Sequence, residues 1–431
     1  MMFRTRFYAF VGAAALVVLG GLLSPSRAQG QSASSDAAAA LFDDTVVHDI
    51  RLTISTRDWE SLKEHFKENT RYPADLRWRD ETVRSIAVRS RGTGSRSGSK
   101  PGLKFDINYY TADQRFLGLK NLILRNNTQD ASNMRELVSM KFFRHMNVKA
   151  SRESFARLFV NTAYVGLYTI VEDIDKDFLK KNLDENDGYL YEYDFDEDSR
   201  IPYAFEYLGT DPAKYVPMPF KAQTHESDPR GDVIERFIWT INEAGAAAWR
   251  QMMSEFLDLT AFMRHLGVEN FLAEEDGITG DYGPNNFYLY RFEKKNLFTF
   301  MPWDKSNTFW ESPEYWIFRN IKDGPEDHRN RLVVRALQYD DLRDAYLNTL
   351  LECAASAEEG ANAAAADGAA APGWLEREVG TLYELIKAAA RSDTIKPFSN
   401  DQFEAAITDL KTFAKERSAA VRRMVADERQ R

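Results

Sequence analysis

A short glycine- and serine-rich segment, residues 91–100, has a composition suited to binding phosphate groups. It has the sequence RGTGSRSGSK, in which Gly92 and Gly94 would let the backbone approach a phosphate closely. Hydroxyl groups such as that of Ser95, together with the cationic side chains, would supply hydrogen-bond donors. Lys104 follows on the next predicted strand, either as an ordinary solvated side chain or as a ligand of a nucleotide's phosphates. A flexible polar hairpin loop has the same composition, so the segment alone leaves both interpretations open.

A second polar segment carries acids and amides of the kind that divalent metal ions bind. Residues 270–290 have the sequence NFLAEEDGITGDYGPNNFYLY, and farther on Asp304 ends a strand in the sequence FMPWD. Carboxylate and amide oxygens are hard ligands suited to Mg²⁺ or Mn²⁺. Turn chemistry would also explain the glycine, aspartate and asparagine content. An acid beside Trp303, however, is costly to bury without a partner, so a metal site and a polar turn both remain open.

The composition and the missing motifs exclude several other classes of site. The 431 residues include 56 Lys+Arg and 66 Asp+Glu, and a formal net charge of −10 argues against a general affinity for nucleic acid. Cys353 is the single cysteine, which excludes an intrachain disulfide and a cysteine-rich zinc site. The chain has no G-x-x-x-x-G-K-[ST] loop, no H-E-x-x-H pair and no G-x-S-x-G elbow. Any anion site must therefore be built locally.

The first 28 residues are predicted to be a signal peptide. Arg4 and Arg6 precede an apolar run over residues 7–23, and a small-x-small sequence ends at Ala28. A retained membrane anchor is the alternative, because the apolar run is slightly long for a signal peptide. The mature protein is expected to be exported (periplasmic, at the cell surface or secreted), without a stable membrane span after cleavage. Residues 29–45 are expected to be a disordered leader, since most of them are Ser, Ala or polar.

The elements that must position the two polar segments are predicted to form an α+β fold with two lobes. Residues 46–175 would form a β-rich N-terminal lobe that carries the phosphate-binding segment, because apolar and polar residues alternate along its strands. Residues 176–352 would form an α-rich C-terminal lobe that carries the acid-rich segment. A low-complexity insertion is expected over residues 353–373, and amphipathic helices over residues 374–431.

Two local patterns in the first lobe give specific predictions. Apolar residues recur at helical spacing over residues 134–142, where Asn133 and Glu136 would form a capping box. The apolar segments 157–160 and 164–171 flank the turn sequence NTA and predict a hairpin. Two more strands are predicted over residues 286–291 and 297–301.

Five blocks, in this order, resemble the spore coat protein H (CotH) family of atypical secreted kinases. The resemblance runs from about residue 48 to residue 304, with weaker helical similarity towards the C-terminus. It implies a two-lobed, atypical protein-kinase-like fold. The blocks are VRSRG at residues 88–92 with the lysines that follow it, DASNMRE at 130–136, YVGLYTIVEDID at 164–175, NNFYLY at 285–290 and PWD at 302–304.

The resemblance implies that the glycine-rich segment covers a bound nucleotide. Gly92, Gly94 and Ser95 would lie over the phosphates in this interpretation. Either Lys100 or Lys104 would hold the phosphates, and the choice between the two lysines is open.

The resemblance also implies roles for four acids. Glu136 would be the helix acid that pairs with the phosphate-binding lysine. Glu172 would orient the nucleotide, or would only end a strand. Asp276 would be the general base that accepts the proton of a substrate hydroxyl, and Asp304 would hold the metal that bridges the transferred phosphates.

One position departs from the protein-kinase pattern, in which a metal-binding asparagine stands five residues after the base aspartate. Five residues after Asp276 stands Asp281. Three interpretations are open: Asp281 binds the metal, a looped-out chain brings Asn286 to it, or Asp281 is the base and Asp276 is structural.

These residues predict an exported kinase that uses ATP and Mg²⁺ or Mn²⁺. It would transfer the γ-phosphate to Ser or Thr hydroxyls of an exported protein substrate, with no nucleic-acid partner. The alternative is a non-catalytic, pseudokinase-like binding protein at the cell surface or in coat assembly. The joint presence of Lys104, Glu136, Asp276 and Asp304 argues against that alternative, because a degenerate site usually loses at least one such residue. No motif indicates the physiological substrate or an oligomeric state.

Overall fold

The computed structural model describes residues 36–194, 203–361 and 371–431. From Ala38 onward the chain forms one unit, in which a β-barrel is followed by a second sheet and a largely helical part. The predicted α+β class is thereby confirmed. The predicted signal peptide, residues 1–28, lies outside the described residues. Within the described ranges, no helix is both long and apolar enough to cross a membrane.

The barrel consists of β1 (Val47–Ile54), β2 (Tyr72–Trp78), β3 (Glu81–Ser90), β4 (Leu103–Asp106), β5 (Asn121–Arg125), β6 (Glu153–Val160) and β7 (Ala163–Val171). It closes in the order β1-β2-β3-β4-β5-β7-β6. The β1–β6 pair is parallel, and the other neighbouring pairs are antiparallel. Ile50, Leu52 and Ile54 alternate with more exposed residues along β1, so one face of this strand packs into the barrel core.

Helix α1 (Thr56–Glu64) lies between β1 and β2 and is not indicated by the sequence pattern. It begins after Ser55, whose side chain accepts a hydrogen bond from the backbone N–H of Asp58 at 3.1 Å. Its buried residues are Trp59 and Leu62. With only two buried positions, the apolar residues of this helix do not recur often enough to predict a helix from the sequence.

The prediction of a disordered leader over residues 29–45 is wrong for its last part. Ala38, Leu41 and Phe42 are buried in the core of the barrel. The carbonyl of Leu41 accepts a hydrogen bond from Ser154 Oγ at 2.6 Å, across a separation of 113 residues. Composition concealed this packing because the short apolar pair Leu41 and Phe42 follows a Ser- and Ala-rich run, and the residues that cover it are distant in sequence.

Helix α2 (Arg135–His145) confirms the predicted helix, but its start differs from the expected capping box. Asn133 has φ +60° and makes no cap, so the proposed pairing of Asn133 with Glu136 is wrong. Asp130 satisfies the first turn instead, because its Oδ2 accepts the backbone N–H of Arg135 at 2.9 Å.

The predicted hairpin is confirmed, since β6 and β7 pair antiparallel around a turn at Asn161. The two strands predicted later in the chain are confirmed as β10 (Phe287–Arg291) and β11 (Phe298–Pro302), which also pair antiparallel. With β8 (Tyr189–Tyr193) and β9 (Phe220–Ala222) they form a sheet in the order β11-β10-β8-β9. The acid-rich segment precedes β10, and Asp304 follows β11.

Most of the later helices pack around one large apolar core. Helix α8 (Asp340–Ala357) buries Cys353 and Ala354, so the predicted low-complexity insertion over residues 353–373 is wrong at its start. The predicted C-terminal helices are confirmed as α9 and α10. The helices are α3 (Lys176–Leu183), α4 (Gly231–Glu243), α5 (Ala246–Ser254), α6 (Leu259–Phe271), α7 (Arg331–Ala336), α8 (Asp340–Ala357), α9 (Trp374–Ser392) and α10 (Asn400–Arg429).

Candidate active site

The glycine-rich loop and the acid-rich loop line one cavity of about 190 Å³, called the inner cavity below. Gly92, Gly94 and Ser95 come from the loop between β3 and β4, and Asp276 and Asp304 come from the second part of the chain. The inner cavity therefore brings together six of the residues predicted from the sequence, since Asn286 lines it as well. The asparagines and the serine that line it with them are Asn285, Asn286, Ser306 and Asn307.

The glycine-rich loop is held in shape by its own arginine. The Nε of Arg96 donates to the carbonyl of Gly92 at 2.6 Å, and its Nη1 donates to the carbonyl of Phe66 at 2.9 Å. Gly92 has φ +106°, a backbone conformation that side chains disfavour. The loop is thus an ordered turn with its backbone facing the inner cavity, and any other residue at position 92 would strain it.

Asp276 lies in the loop after α6 with its carboxylate held by amides. Asn285 Nδ2 donates to Oδ1 at 3.0 Å, and Asn286 Nδ2 donates to Oδ2 at 2.9 Å. Asn307 Nδ2 lies 3.5 Å from the same Oδ2. Burial raises the pKa of Asp276 above its ordinary value, although the hydrogen bond from Asn285 opposes this change. A carboxylate with a raised pKa and a fixed orientation is suited to accepting a proton.

Glu269 on α6 fixes the position of the loop that carries Asp276. Its Oε1 accepts the backbone N–H of Ile278, and its Oε2 lies 2.9 Å from Lys305 Nζ. A Cβ at Gly277 would overlap the Glu269 carboxylate, so glycine is required there for steric reasons. Burial disfavours ionised Glu269, but the charge of Lys305 outweighs it and lowers the pKa to about 2. One buried carboxylate therefore connects the Asp276 loop to the residue after Asp304.

Asp304 has φ +48° and lines the inner cavity. Its Oδ2 accepts a hydrogen bond from Arg125 Nη1, and its Oδ1 accepts one from Ser306 Oγ at 3.1 Å. Burial opposes ionisation, yet the nearby charges of Arg125 and then Arg91 lower the pKa of Asp304. Asp304 is therefore an ionised carboxylate at neutral pH.

Arg125, at the end of β5, is the cation that pairs with the helix acid. Its Nε lies 2.7 Å from Glu136 Oε2 on α2, while Nη1 binds Asp304. The expectation that Glu136 pairs with Lys100 or Lys104 is wrong, because β5 leads directly into the α2 region and brings its own arginine. The sequence did contain a signal for this pair: Arg125 ends a buried strand, and Glu136 lies in the first turn of the helix that follows.

The burial of Glu136 predicts a pH effect on stability. Burial raises the pKa of Glu136 from 4.5 to about 7, although the charge of Arg125 opposes this. The folded protein then binds more protons than the unfolded chain, so stability falls as pH rises from about 4.5 to about 7. In Glu136→Gln this fall should be smaller by roughly 2 kcal/mol. Urea unfolding at pH 5 and pH 8 measures it, and an unchanged pH dependence would contradict the assignment.

Lys100 does not line the cleft and is a structural residue. Its ammonium donates to Asp393 Oδ2 at 2.7 Å and to the carbonyl of Leu167 at 2.8 Å. Side-chain exposure is 1% for Lys100 and 0% for Asp393. The prediction that Lys100 could bind phosphate is therefore wrong, because Asp393 already pairs with its ammonium group in the interior of the fold.

Lys104 lines a second cavity of about 420 Å³, called the outer cavity below. Its ammonium lies 2.7 Å from Asp173 Oδ2, just after the end of β7. The outer cavity also has apolar walls, which include Ile123, Ile174 and Leu190. The two cavities share three lining residues, Arg91, Glu192 and Trp303.

Glu172 is held by an arginine and lines neither cavity. Its carboxylate accepts hydrogen bonds from Arg152 Nε at 2.9 Å and from Arg152 Nη2 at 2.6 Å. The structure thus favours the second interpretation of Glu172, an acid that ends a strand.

Asp281 does not line the inner cavity. Its carboxylate accepts from Arg319 Nε at 3.2 Å and from Arg319 Nη2 at 3.0 Å, and Asn320 Nδ2 donates to it at 2.6 Å. Asn286, the alternative candidate for the metal role, lines the inner cavity and donates to Asp276 at 2.9 Å. The interpretations that gave Asp281 the metal or the proton are therefore wrong, because Asp281 lies outside the inner cavity, where Arg319 and Asn320 bind its carboxylate.

The oxygen donors of the inner cavity suit a Mg²⁺ or Mn²⁺ ion. Mg²⁺ is commonly bound by one or two carboxylates together with phosphate and water oxygens. Asp304 supplies a carboxylate, and the amide side chains of Asn285 and Asn286 line the same cavity. No group of three or more His, Cys, Asp or Glu side chains that would hold a metal by itself occurs in the described ranges. The donor set therefore fits an ion that is completed by phosphate oxygens.

A β-barrel lobe, a helical lobe and a cleft between a glycine-rich loop and two acids are the features of a kinase-like protein. The family model described as CotH kinase protein matches residues 88–421. The chain therefore belongs to the CotH kinase family, as its sequence blocks implied.

The chain is similar to individual proteins of known name. It is 24% identical over 259 residues to inner spore coat protein H of Bacillus subtilis (strain 168), covering 60% of this chain and 68% of that protein. Its fold is similar to the toxin–antitoxin complex of HipA and HipB with operator DNA from Shewanella oneidensis MR-1, at 11% identity and a TM-score of 0.35, covering 88% of this chain and 74% of that one. It is also similar to the Helicobacter pylori proinflammatory kinase CtkA, at 9% identity and a TM-score of 0.27, covering 79% and 95%.

Proposed function

We propose that this chain is a metal-dependent kinase that transfers the γ-phosphate of ATP to Ser or Thr hydroxyls of an exported protein. The observation that carries the proposal is the inner cavity, which the glycine-rich loop and both Asp276 and Asp304 line together. Phosphoryl transfer requires mainly alignment of the reacting groups and stabilisation of negative charge. The inner cavity contains groups for both tasks.

The residues of the inner cavity divide the reaction between them. The acceptor hydroxyl oxygen bonds to the γ-phosphorus, the bond from that phosphorus to the leaving ADP oxygen breaks, and Asp276 takes the hydroxyl proton. Asn285 and Asn286 orient the Asp276 carboxylate for this step. Asp304, with an amide oxygen nearby, would hold Mg²⁺ or Mn²⁺, which neutralises charge on the phosphates when bound.

Arg125 would take the role that the sequence suggested for Lys100 or Lys104, as the cation that pairs with Glu136 beside the phosphates. It is paired with Glu136 and contacts Asp304, so it joins the helix acid to the metal-binding acid. Guanidinium groups bind phosphate oxygens through paired N–H donors. In the proposed kinase, Arg125 holds the Asp304 carboxylate in place and adds positive charge beside the phosphates.

The place of action is proposed to be outside the cytoplasm. The sequence of residues 1–28 predicts export, and the similar Bacillus subtilis protein is named for the inner spore coat. The acceptor would then be an exported protein with accessible Ser or Thr residues. A non-catalytic binding protein is the alternative that the following experiment separates from a kinase.

The full chain should transfer label from γ-labelled ATP to an acidic protein acceptor when Mg²⁺ or Mn²⁺ is present. Chelation with EDTA should lower transfer by about 100-fold or more, because the phosphate charge is then not neutralised. Asp304→Ala should show the same loss with the metal present, and its melting temperature checks that it is folded. Transfer that survives in folded Asp304→Ala would refute the metal assignment. Lack of both transfer and nucleotide-induced stabilisation in the wild type would support the non-catalytic alternative.

A further inference from the structure

Arg91 lies at the junction of the inner and outer cavities. It follows β3, precedes Gly92 and lines both cavities. Its backbone N–H donates to the carbonyl of Gly102 at 2.9 Å, which closes the base of the hairpin. Its guanidinium carbon lies 5.7 Å from the ring centre of Trp303. The hairpin and the aromatic ring therefore determine where the guanidinium is presented.

The guanidinium of Arg91 has no direct partner among the described residues. Its side chain makes neither a hydrogen bond nor an ion pair to any of them, whereas Arg125 is paired with Glu136 and Asp304. An arginine has five N–H donors in a planar fork that matches phosphate geometry. Arg91 thus presents a complete set of donors to the junction of the two cavities.

Charges of both signs surround Arg91. Burial, and next the charge of Arg125, lower the pKa of Arg91, whereas the charges of Asp304 and Glu192 raise it. Two guanidinium groups that repel each other at a partly buried site raise the energy of the folded protein. A phosphate group beside Arg91 would reduce both costs, because it supplies hydrogen-bond acceptors and opposite charge.

The two cavities differ in the chemistry of their walls. The outer cavity has an apolar and aromatic patch, including Ile174, Leu190 and Tyr288, that suits a flat base, within a lining that is otherwise charged or polar. The inner cavity has the glycine backbone on one side and the acids Asp276 and Asp304 on the other. A nucleotide that extends from one cavity into the other must pass Arg91.

We infer that Arg91 is a phosphate-binding residue that sets the direction of the bound nucleotide. The base and ribose lie in the outer cavity, and the phosphate chain passes Arg91 into the inner cavity towards Asp276 and Asp304. Arg91 contacts the phosphates and leaves the base untouched. This inference rests on the proposed kinase function and adds to it a nucleotide-binding residue that the sequence comparison did not assign.

Equilibrium binding of ATP and of adenosine to the full chain tests the inference in the presence of Mg²⁺. Arg91→Met should weaken ATP binding by about 10- to 100-fold, the effect of a charged hydrogen-bonding group, and adenosine binding by less than about 3-fold. Arg91→Lys should give an intermediate loss for ATP, since it keeps the charge without the fork. Arg84→Met, an exposed arginine on the same strand, is the charge-matched control and should bind both ligands like the wild type.

The outcomes separate the inference from the proposed function. Equal losses for ATP and adenosine in Arg91→Met, or no loss for either, would overturn the role of Arg91 while leaving label transfer by the wild type intact. A wild type that binds neither ligand would overturn the nucleotide site and the kinase proposal together. If Arg91→Met has a lower melting temperature than the wild type without ligand, the Arg91→Lys variant provides the test. An ATP affinity of Arg91→Lys equal to that of the wild type would overturn the role of the Arg91 guanidinium.

Discussion

Asp276→Asn is expected to lower kcat for phosphate transfer by about 10²- to 10⁴-fold, the range for loss of a general base. The variant keeps the volume of the side chain but cannot accept the hydroxyl proton. Asn285 and Asn286 would still border the position, so the fold should persist and the melting temperature should change little. Steady-state transfer of γ-label, measured beside circular dichroism melting, gives both quantities.

The pH profile of the wild type provides a second readout for Asp276. A base acts only as the carboxylate, so kcat should rise with pH through the pKa of Asp276, which burial has raised. Asp281→Asn is the matched control, because Asp281 is bound to Arg319 outside the inner cavity. It should keep kcat within about 3-fold. A large loss in Asp281→Asn together with an active Asp276→Asn would reverse the assignment of the base.

Lys100→Met is expected to destabilise the protein by about 3–5 kcal/mol, the range for removing one partner of a buried ion pair. The loss is large because Asp393 would be left charged and uncompensated, with its side chain fully buried. The C-terminal region would lose its connection to the end of the glycine-rich loop. Urea unfolding should show a lower midpoint with an unchanged slope.

Two further variants separate burial of charge from simple loss of a side chain. Lys100→Met combined with Asp393→Asn should recover part of the lost stability, since no unpaired charge then remains buried. Lys104→Met removes a lysine whose side chain is 21% exposed, and it should cost at most about 1 kcal/mol. Equal losses in Lys100→Met and Lys104→Met would contradict the structural role given to Lys100.

Part of the candidate site could be predicted because short-range pairing builds it. Short runs of apolar and aromatic residues indicated β10 and β11, and their register places Phe287 opposite Pro302. The chain that enters β10 therefore meets the chain that leaves β11, and the backbone N–H of Trp303 donates to the carbonyl of Asn286 at 3.1 Å. This local hairpin brings Asp304 close to the Asp276 loop, in agreement with the roles that the resemblance to the family implied for the two acids.

The partners of buried charges could not be predicted, because they depend on contacts far apart in sequence. Lys100 and Asp393 are 293 residues apart, and Arg125 and Asp304 are 179 apart. Every lysine or arginine suits several acids by charge alone. A buried charge pairs only with a group that is enclosed in the same buried space. That space is formed by the packing of elements that are distant in sequence.

The sequence by itself determined the α+β class, the family and two polar loops with the residue types that phosphate and metal binding require. Those properties depend on periodicity, turn residues and blocks a few residues long, which are local. The tertiary structure alone decided that Lys100 forms a buried ion pair, that Arg125 pairs with Glu136 and that Arg91 lines both cavities with no hydrogen-bond or ion-pair partner of its side chain among the described residues. The role of a charged side chain depends on the groups that are buried beside it. Folding determines which groups those are, because it brings together residues that are distant in sequence.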